Sequence, residues 1–534
     1  MREYEVGEGA EGRRATPDLT SLELQRRAFY LILVLLTGFL IGTGVLSMAR
    51  GGGSVGWLAV AAVASAVLAI LVIAYHRGRV DSLFSWLIVG FFLVCWIAVG
   101  TPSVAEGQSG GGSKSLFISQ AGLTVLLVLR AIDLVLRGGR SEGRAPLFVP
   151  IAAYLAVCVL STVLALLFPN EAVTQFSMKT AVPVNALELA TRFLALGGLL
   201  MVGARLRGRA LPFGAAAILV PGLLTFSGLF GFLSSSLFTV FPQIISMSVL
   251  AAFSLSDPGR LRTGMRLAAG GVALSIVATY FLKGTDWVSG WAAALIALVI
   301  VCWHLNRRLL VAGVAVLFLV VAIHPVYFYS EVYEKNFYGK FLKPSGPDRG
   351  REYSAFDNDR LRMLKGAFLY AERFPFGIGP GNYRAYNHYF GRPEVWNTTT
   401  FTSAHGTYTQ ALAETGWPGL AALLAILFGA CRMMFGYVRR FEAGSWQRTY
   451  VLGVAAACVG TFFSASIGDY LFPTYHNGGL TSFGNCVYTW LAIGVTMAMG
   501  QVYGGSEERS VEEEAPVAAR WRRGSGWSGP DDGE

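Results

Sequence analysis

The sequence predicts an all-α polytopic membrane protein, on three observations. Of its 534 residues, 54% are hydrophobic and only 14% charged, against roughly 25% charged in a soluble domain. Apolar runs long enough to cross a hydrocarbon core, about 20 residues of helix, recur from Ala28 to Val502. Arginines concentrate in alternate connections between those runs, as they do in short cytoplasmic loops.

The runs stand, in order, at 28–48, 55–75, 83–102, 116–136, 147–168, 182–203, 212–232, 237–255, 265–282, 287–305, 309–327, 407–431, 450–472 and 480–503. Ser234-Ser235-Ser236 barely separates the seventh from the eighth, and Pro221 and Pro242 lie inside them, so 12–14 transmembrane helices are expected. With the N-terminus inside, the short inner connections and their flanks, from Arg77 to Arg448, hold seventeen arginines. The short outer ones hold only Arg50, Lys114, Lys179 and Lys283. This asymmetry sets both termini in the cytoplasm. It also explains most of the net charge of +10 without a nucleic-acid partner.

The expected organisation is a polar cytoplasmic segment 1–27, transmembrane helices 1–11 over 28–327, a long extracytoplasmic loop 328–406, helices 12–14 over 407–503, and a cytoplasmic tail 504–534. The tail carries clustered acids and arginines with little apolar content and is expected to be disordered. No cleavable signal is evident, since the first 27 residues are polar and the first apolar run is long enough to span. All six cysteines fall inside expected spans without paired spacing, and read as small apolar packing residues.

The long loop holds eleven Lys or Arg against eight acids. Such a cationic face suits an anionic ligand, and equally an ordinary solvated surface. Asp357 to Arg373 reads as an amphipathic helix, with Leu361, Leu364, Phe368 and Ala371 at helical spacing, ended by Pro375. Three glycines then fall within five positions, Gly377, Gly379 and Gly381. They permit a tight turn whose backbone N–H groups can approach an oxyanion. Glu188 and Arg192, four apart in the sixth run, share one helix side. Charge inside a membrane marks a functional site by default, and two readings stand: an ion pair holding the bundle, or a contact to a carrier phosphate. No cluster of Asp or His has metal-ligand spacing.

Three features in order resemble the O-antigen ligase and O-antigen polymerase family of bacterial envelope glycosyltransferases. Asp359-Arg360-Leu361 opens a helix where the family places an arginine. Phe374-Pro375-Phe376-Gly377-Ile378-Gly379-Pro380-Gly381-Asn382-Tyr383 is close to its Pro-x-x-Gly-x-Gly-x-Gly-Asn-aromatic run. His405, followed eleven residues later by Gly416 and then by Gly419, matches its histidine and two-glycine pattern. The likeness covers about residues 270–475. Gly406 departs from it, because the family often has Asn, Ser or Gln after the histidine. Residues 283–291 lack the arginine that family members carry near the outer end of a helix before the loop, and Lys283 stands there instead.

The resemblance implies a GT-C-like helical enzyme of the bacterial cytoplasmic membrane, surrounded by membrane lipids and needing no metal or other cofactor. It implies transfer of a glycan from a polyprenyl-diphosphate carrier, the donor, onto a hydroxyl of a glycan, lipid or protein acceptor on the outer side. His405 is then the general base and Arg360 the main diphosphate contact. Lys283 and Arg384 add supporting charge, and Arg192, Gly379, Gly381 and Asn382 are further substrate-binding positions. Gly416 and Gly419 are expected to permit close helix packing. The alternatives are a polymerase of the same family, or a transporter or flippase of lipid-linked glycan, which intramembrane charge and Pro-broken helices would serve. Internal repeats would favour the transporter, and none is evident.

Overall fold

A computed structural model describes residues 80–94, 118–137, 145–169, 178–226, 240–256, 262–283, 288–327, 329–330, 333–334, 359–390, 404, 406–472, 474 and 483–504. The first two expected spans, both termini, His405 and the side chains of Arg360 and Lys283 lie outside the described residues. The chain divides into two compact units. One comprises 1–70 and 128–141, of which 128–137 is described; everything below concerns the other, residues 71–127 and 142–534.

Apart from an isolated bridge at Thr474, the described elements are helical. In chain order they are α1 (Val80–Val94), α2 (Ile118–Arg137), α3 (Phe148–Leu167), α4 (Met178–Arg205), α5 (Ala210–Ala217), α6 (Val220–Phe226), α7 (Val240–Leu255), α8 (Thr263–Lys283), α9 (Val288–Leu305), α10 (Arg307–Ile323), α11 (Asp359–Arg373), α12 (Tyr383–Phe390), α13 (Thr407–Arg440), α14 (Trp446–Ser464) and α15 (Phe483–Tyr503). Segments of α3, α4, α13 and α15 are long and apolar enough to cross a membrane. The protein is thus an all-α polytopic membrane protein.

The expected seventh run, 212–232, is not one helix across its described part. It falls into α5 and α6, separated by a turn at Ile218 and Leu219. Pro221 has no N–H for the carbonyl one turn back, so the first helix ends there. Ser246 on α7 donates to the Leu219 carbonyl at 2.8 Å, binding the break to the bundle.

Helices α7, α14 and α15 form the buried centre, with α15 against α4 and α14 between α7 and α9. Small residues bring the backbones together, as in membrane bundles generally. A Cβ on Gly494 of α15 would stand 2.7 Å from the Leu199 carbonyl of α4, and one on Gly453 of α14 would stand 2.5 Å from the Val249 Cα of α7. At the periphery, α10 exposes Val311, Val316, Phe318 and Leu319. In water such a patch would drive association; in a bilayer it is the expected lipid face.

The helix that leads out of the loop has two parts. From Thr407 to Gly416 nearly every side chain is buried in protein; from Trp417 on, Trp417, Leu424 and Phe428 are exposed. The second part, Pro418–Arg440, is ~35 Å long at 1.5 Å per residue, matched to a hydrocarbon core of about 30 Å. Arg439 and Arg440 end it. Trp417 stands at the other end, where tryptophans favour the interface. The first part is therefore a protein-covered segment, with α11 and α12 packed against it.

Candidate active site

The backbone of α13 breaks at Gly416, which has φ +65° and ψ −169°, a conformation that side-chain-bearing residues rarely adopt. Pro418 follows inside the same helix. Lacking an N–H, it leaves the carbonyl of Glu414, four residues back, without its helical donor, and the break denies Ala413 its own. Buried carbonyls need partners, and the glycine turn supplies them. Ile378 N–H donates to the Ala413 carbonyl at 3.0 Å and Gly379 N–H to that of Glu414 at 3.0 Å. Ser161 of α3 donates to the same Glu414 carbonyl at 2.6 Å. A Cβ on Gly416 would run into the Pro375 carbonyl. The two-glycine pattern expected to bring helices together thus seats a loop on a broken helix at Gly416, and the atoms nearest a Cβ on Gly419 belong to Thr415 of its own helix.

The Glu414 side chain continues the same junction. It is fully buried, and its Oε2 lies 2.6 Å from Nη2 of Arg192 on α4. Its Oε1 accepts from Gly381 N–H at 2.9 Å and from Gln410 Nε2 at 2.9 Å. Arg192 also stands 3.9 Å from Glu188 Oε2, and its Nη1 is 4.0 Å from Cys158 Sγ of α3. The glycine turn does approach an oxyanion, as its composition anticipates. That oxyanion is the protein's own carboxylate. Gly381 has φ +83°, and a Cβ there would meet Val184 and Glu188 of α4 at 2.8 and 3.1 Å. Asn382 turns inward, donating through Nδ2 to the Ile378 carbonyl at 2.9 Å.

Above this junction, α11 and α12 close an aromatic layer. Met363, Ala367, Tyr370 and Ala371 are the buried stripe of α11, packed with Tyr383, Tyr386, Ile378, Leu412 and Ala413. The expected apolar face is thereby corrected. Leu364 and Phe368 are 39% and 40% exposed, and Phe368 lies against the exposed Trp417, ring centroids 5.6 Å apart. Tyr370 meets Tyr386 edge-on at 5.7 Å, and Phe374 does likewise at 5.6 Å. Burial raises the Tyr370 and Tyr383 phenols well above their usual range and pushes Tyr386 up to about 12, against the opposing pull of Arg373.

Of the sequence-derived site residues, Gly379, Gly381, Asn382 and Arg192 meet at this junction. Arg384 lies on α12, half-buried, beside it. Arg360 is the second residue of α11, and Lys283 is the last residue of α8. Arg192 has the partners of an ion pair, Glu414 and Glu188. Its main partner, Glu414, has a signal in the sequence: an acid inside an apolar run.

The position after His405 is also explained. Gly406 has an extended backbone, so its constraint is space: a Cβ would stand 2.9 Å from the Ser466 carbonyl. The turn after α14 comes this close because Thr407 N–H donates to the Ala465 carbonyl at 2.8 Å, and Thr407 Oγ1 accepts from Tyr470 N–H at 3.1 Å.

Residues 273–424 match the family model described as O-antigen ligase. This segment is similar to the O-antigen ligase family. No curated protein matches it. The matched segment runs from within α8 to the middle of α13 and takes in Lys283, Arg360, the glycine turn, His405 and Glu414. Arg192 lies outside it, so the ligase-like segment draws its buried counter-ion from an earlier helix.

Proposed function

We propose that the protein transfers a glycan from a polyprenyl-diphosphate carrier to an acceptor hydroxyl at the outer face of the bacterial cytoplasmic membrane, as an inverting O-antigen ligase-type enzyme. One observation carries the reading. The segment that matches the O-antigen ligase model folds its glycine turn onto the helix that starts two residues after His405, and α11, with Arg360 in its first turn, packs on that same helix.

In this reading the acceptor oxygen attacks the anomeric carbon, the bond from that carbon to the carrier diphosphate breaks, and configuration inverts. The hydroxyl proton passes to the imidazole of His405, whose ordinary pKa near 6.5 suits a base at ambient pH. Arg360 meets the departing diphosphate with charge-assisted hydrogen bonds, and Lys283 and Arg384 add positive charge. The cations carry the neutralising role, so the step asks for no metal. A bilayer-held donor and a water-borne acceptor meet naturally where a loop returns to a membrane helix.

Purified protein in lipid vesicles, given a diphosphate-linked glycan and an acceptor, is expected to release free carrier diphosphate. Movement of intact donor between leaflets without release would instead establish the transporter. Arg360→Ala is expected to raise the donor KM tenfold or more, and an unchanged donor KM would remove the diphosphate role. Mass analysis of the product separates ligase from polymerase: one added block against an elongated chain.

A further inference from the structure

We propose that Glu414 and Arg192 are positioning residues: their buried ion pair fastens the glycine turn to the helix that follows His405, and so holds α11 and α12 in register with the catalytic base. The proposal rests on the glycosyl-transfer reading above. Nothing in the chemistry of that reading requires this pair, yet the pair joins the glycine turn to the helix that follows His405.

The geometry is that of a single fastening point. One Glu414 oxygen is held by Arg192 from α4 at 2.6 Å, and the other by Gly381 of the turn and Gln410 of α13, each at 2.9 Å. Its backbone carbonyl is shared by Gly379 and by Ser161 of α3. Three membrane helices and the turn therefore meet on one residue, at the place where Gly416 and Pro418 remove the helix's own hydrogen bonds. Buried and multiply bonded, such a cluster specifies geometry more than it adds stability. Loss of one charge leaves the other stranded, and the turn is the mobile party because its polar ties to α13 are backbone amides. A group that binds donor would change KM. A group that sets the distance between diphosphate site and base would change kcat at constant donor KM.

The test uses the full chain in lipid vesicles, with carrier-linked glycan and acceptor, together with amide hydrogen exchange across 374–386. Glu414→Gln is expected to lower kcat tenfold or more with donor KM within twofold, and to speed exchange in the turn while α14 and α15 remain protected. Arg192→Gln is expected to do the same, and Arg192→Lys, which keeps a cation beside the carboxylate but not the planar fork, to fall between wild type and Arg192→Gln in both turnover and exchange. Arg192→Lys is also the milder variant, and decides the matter if the neutral ones fail to accumulate: slower turnover with a looser turn supports the proposal, wild-type values in both overturn it. A fall in kcat with unchanged exchange, or a donor KM that rises in step, would overturn it by making the pair a substrate contact. Should the wild-type protein release no carrier diphosphate, the glycosyl-transfer reading fails by itself; the exchange comparison still decides whether the pair fastens the turn.

Discussion

Gly416 concentrates at one residue the constraints that shape the site. Alanine there must adopt a left-handed backbone and push against the Pro375 carbonyl, the first of which alone costs about 1–3 kcal/mol. Gly416→Ala is expected to lower Tm in detergent and to loosen the turn, whereas Gly436→Ala, whose Cβ meets nothing within 4 Å, should leave the turn unchanged and not lower Tm, since alanine is the better helix former. Tyr386 offers a pH test. Its folded phenol sits at about 12 because it is buried, against about 10 when unfolded. Its contribution to stability is therefore whole below about pH 10 and lost as pH rises through 12. The difference in tyrosinate absorbance between wild type and Tyr386→Phe should titrate near 12 in folded protein and near 10 after denaturation. Arg192 and Glu188 were legible as a charged pair from their spacing of four. Glu414 was not, because its partner lies 222 residues away in the chain and no local period links them.

Among elements, α11 shows what periodicity conveys and what it omits. Its existence and its stop before Pro375 follow from the sequence, but the buried face is turned by about one position, onto Met363, Ala367, Tyr370 and Ala371. Small and aromatic residues fill the close space against α13, while the larger aliphatics Leu364 and Leu369 face outward. Tyr370→Ala should thus destabilise by about 3–5 kcal/mol, the range for emptying a buried aromatic site, and Leu369→Ala by no more than about 0.5 kcal/mol. Thermal unfolding of the two variants checks the assignment. The apolar run at 407–431 reads as one span, yet the structure divides it at Gly416 into a protein-covered segment and a lipid-facing helix. Hydropathy cannot tell protein cover from lipid, so the division becomes visible only once α11 and α12 are in place.

At the scale of the whole molecule, composition and run lengths carry the all-α polytopic class, and three short motifs carry the resemblance to the O-antigen ligase family. What they leave out is that the matched segment does not stand alone, since α3 and α4 supply Ser161 and Arg192 to its central junction. The central claim is a proton transfer to His405 during glycosyl transfer. Its most direct measurement is the rate of carrier diphosphate release by wild-type protein and by His405→Ala in the same vesicles, at matched protein level. The expected result is equal membrane accumulation with transfer lowered a hundredfold or more, as general-base loss costs. Full transfer activity in His405→Ala would contradict it.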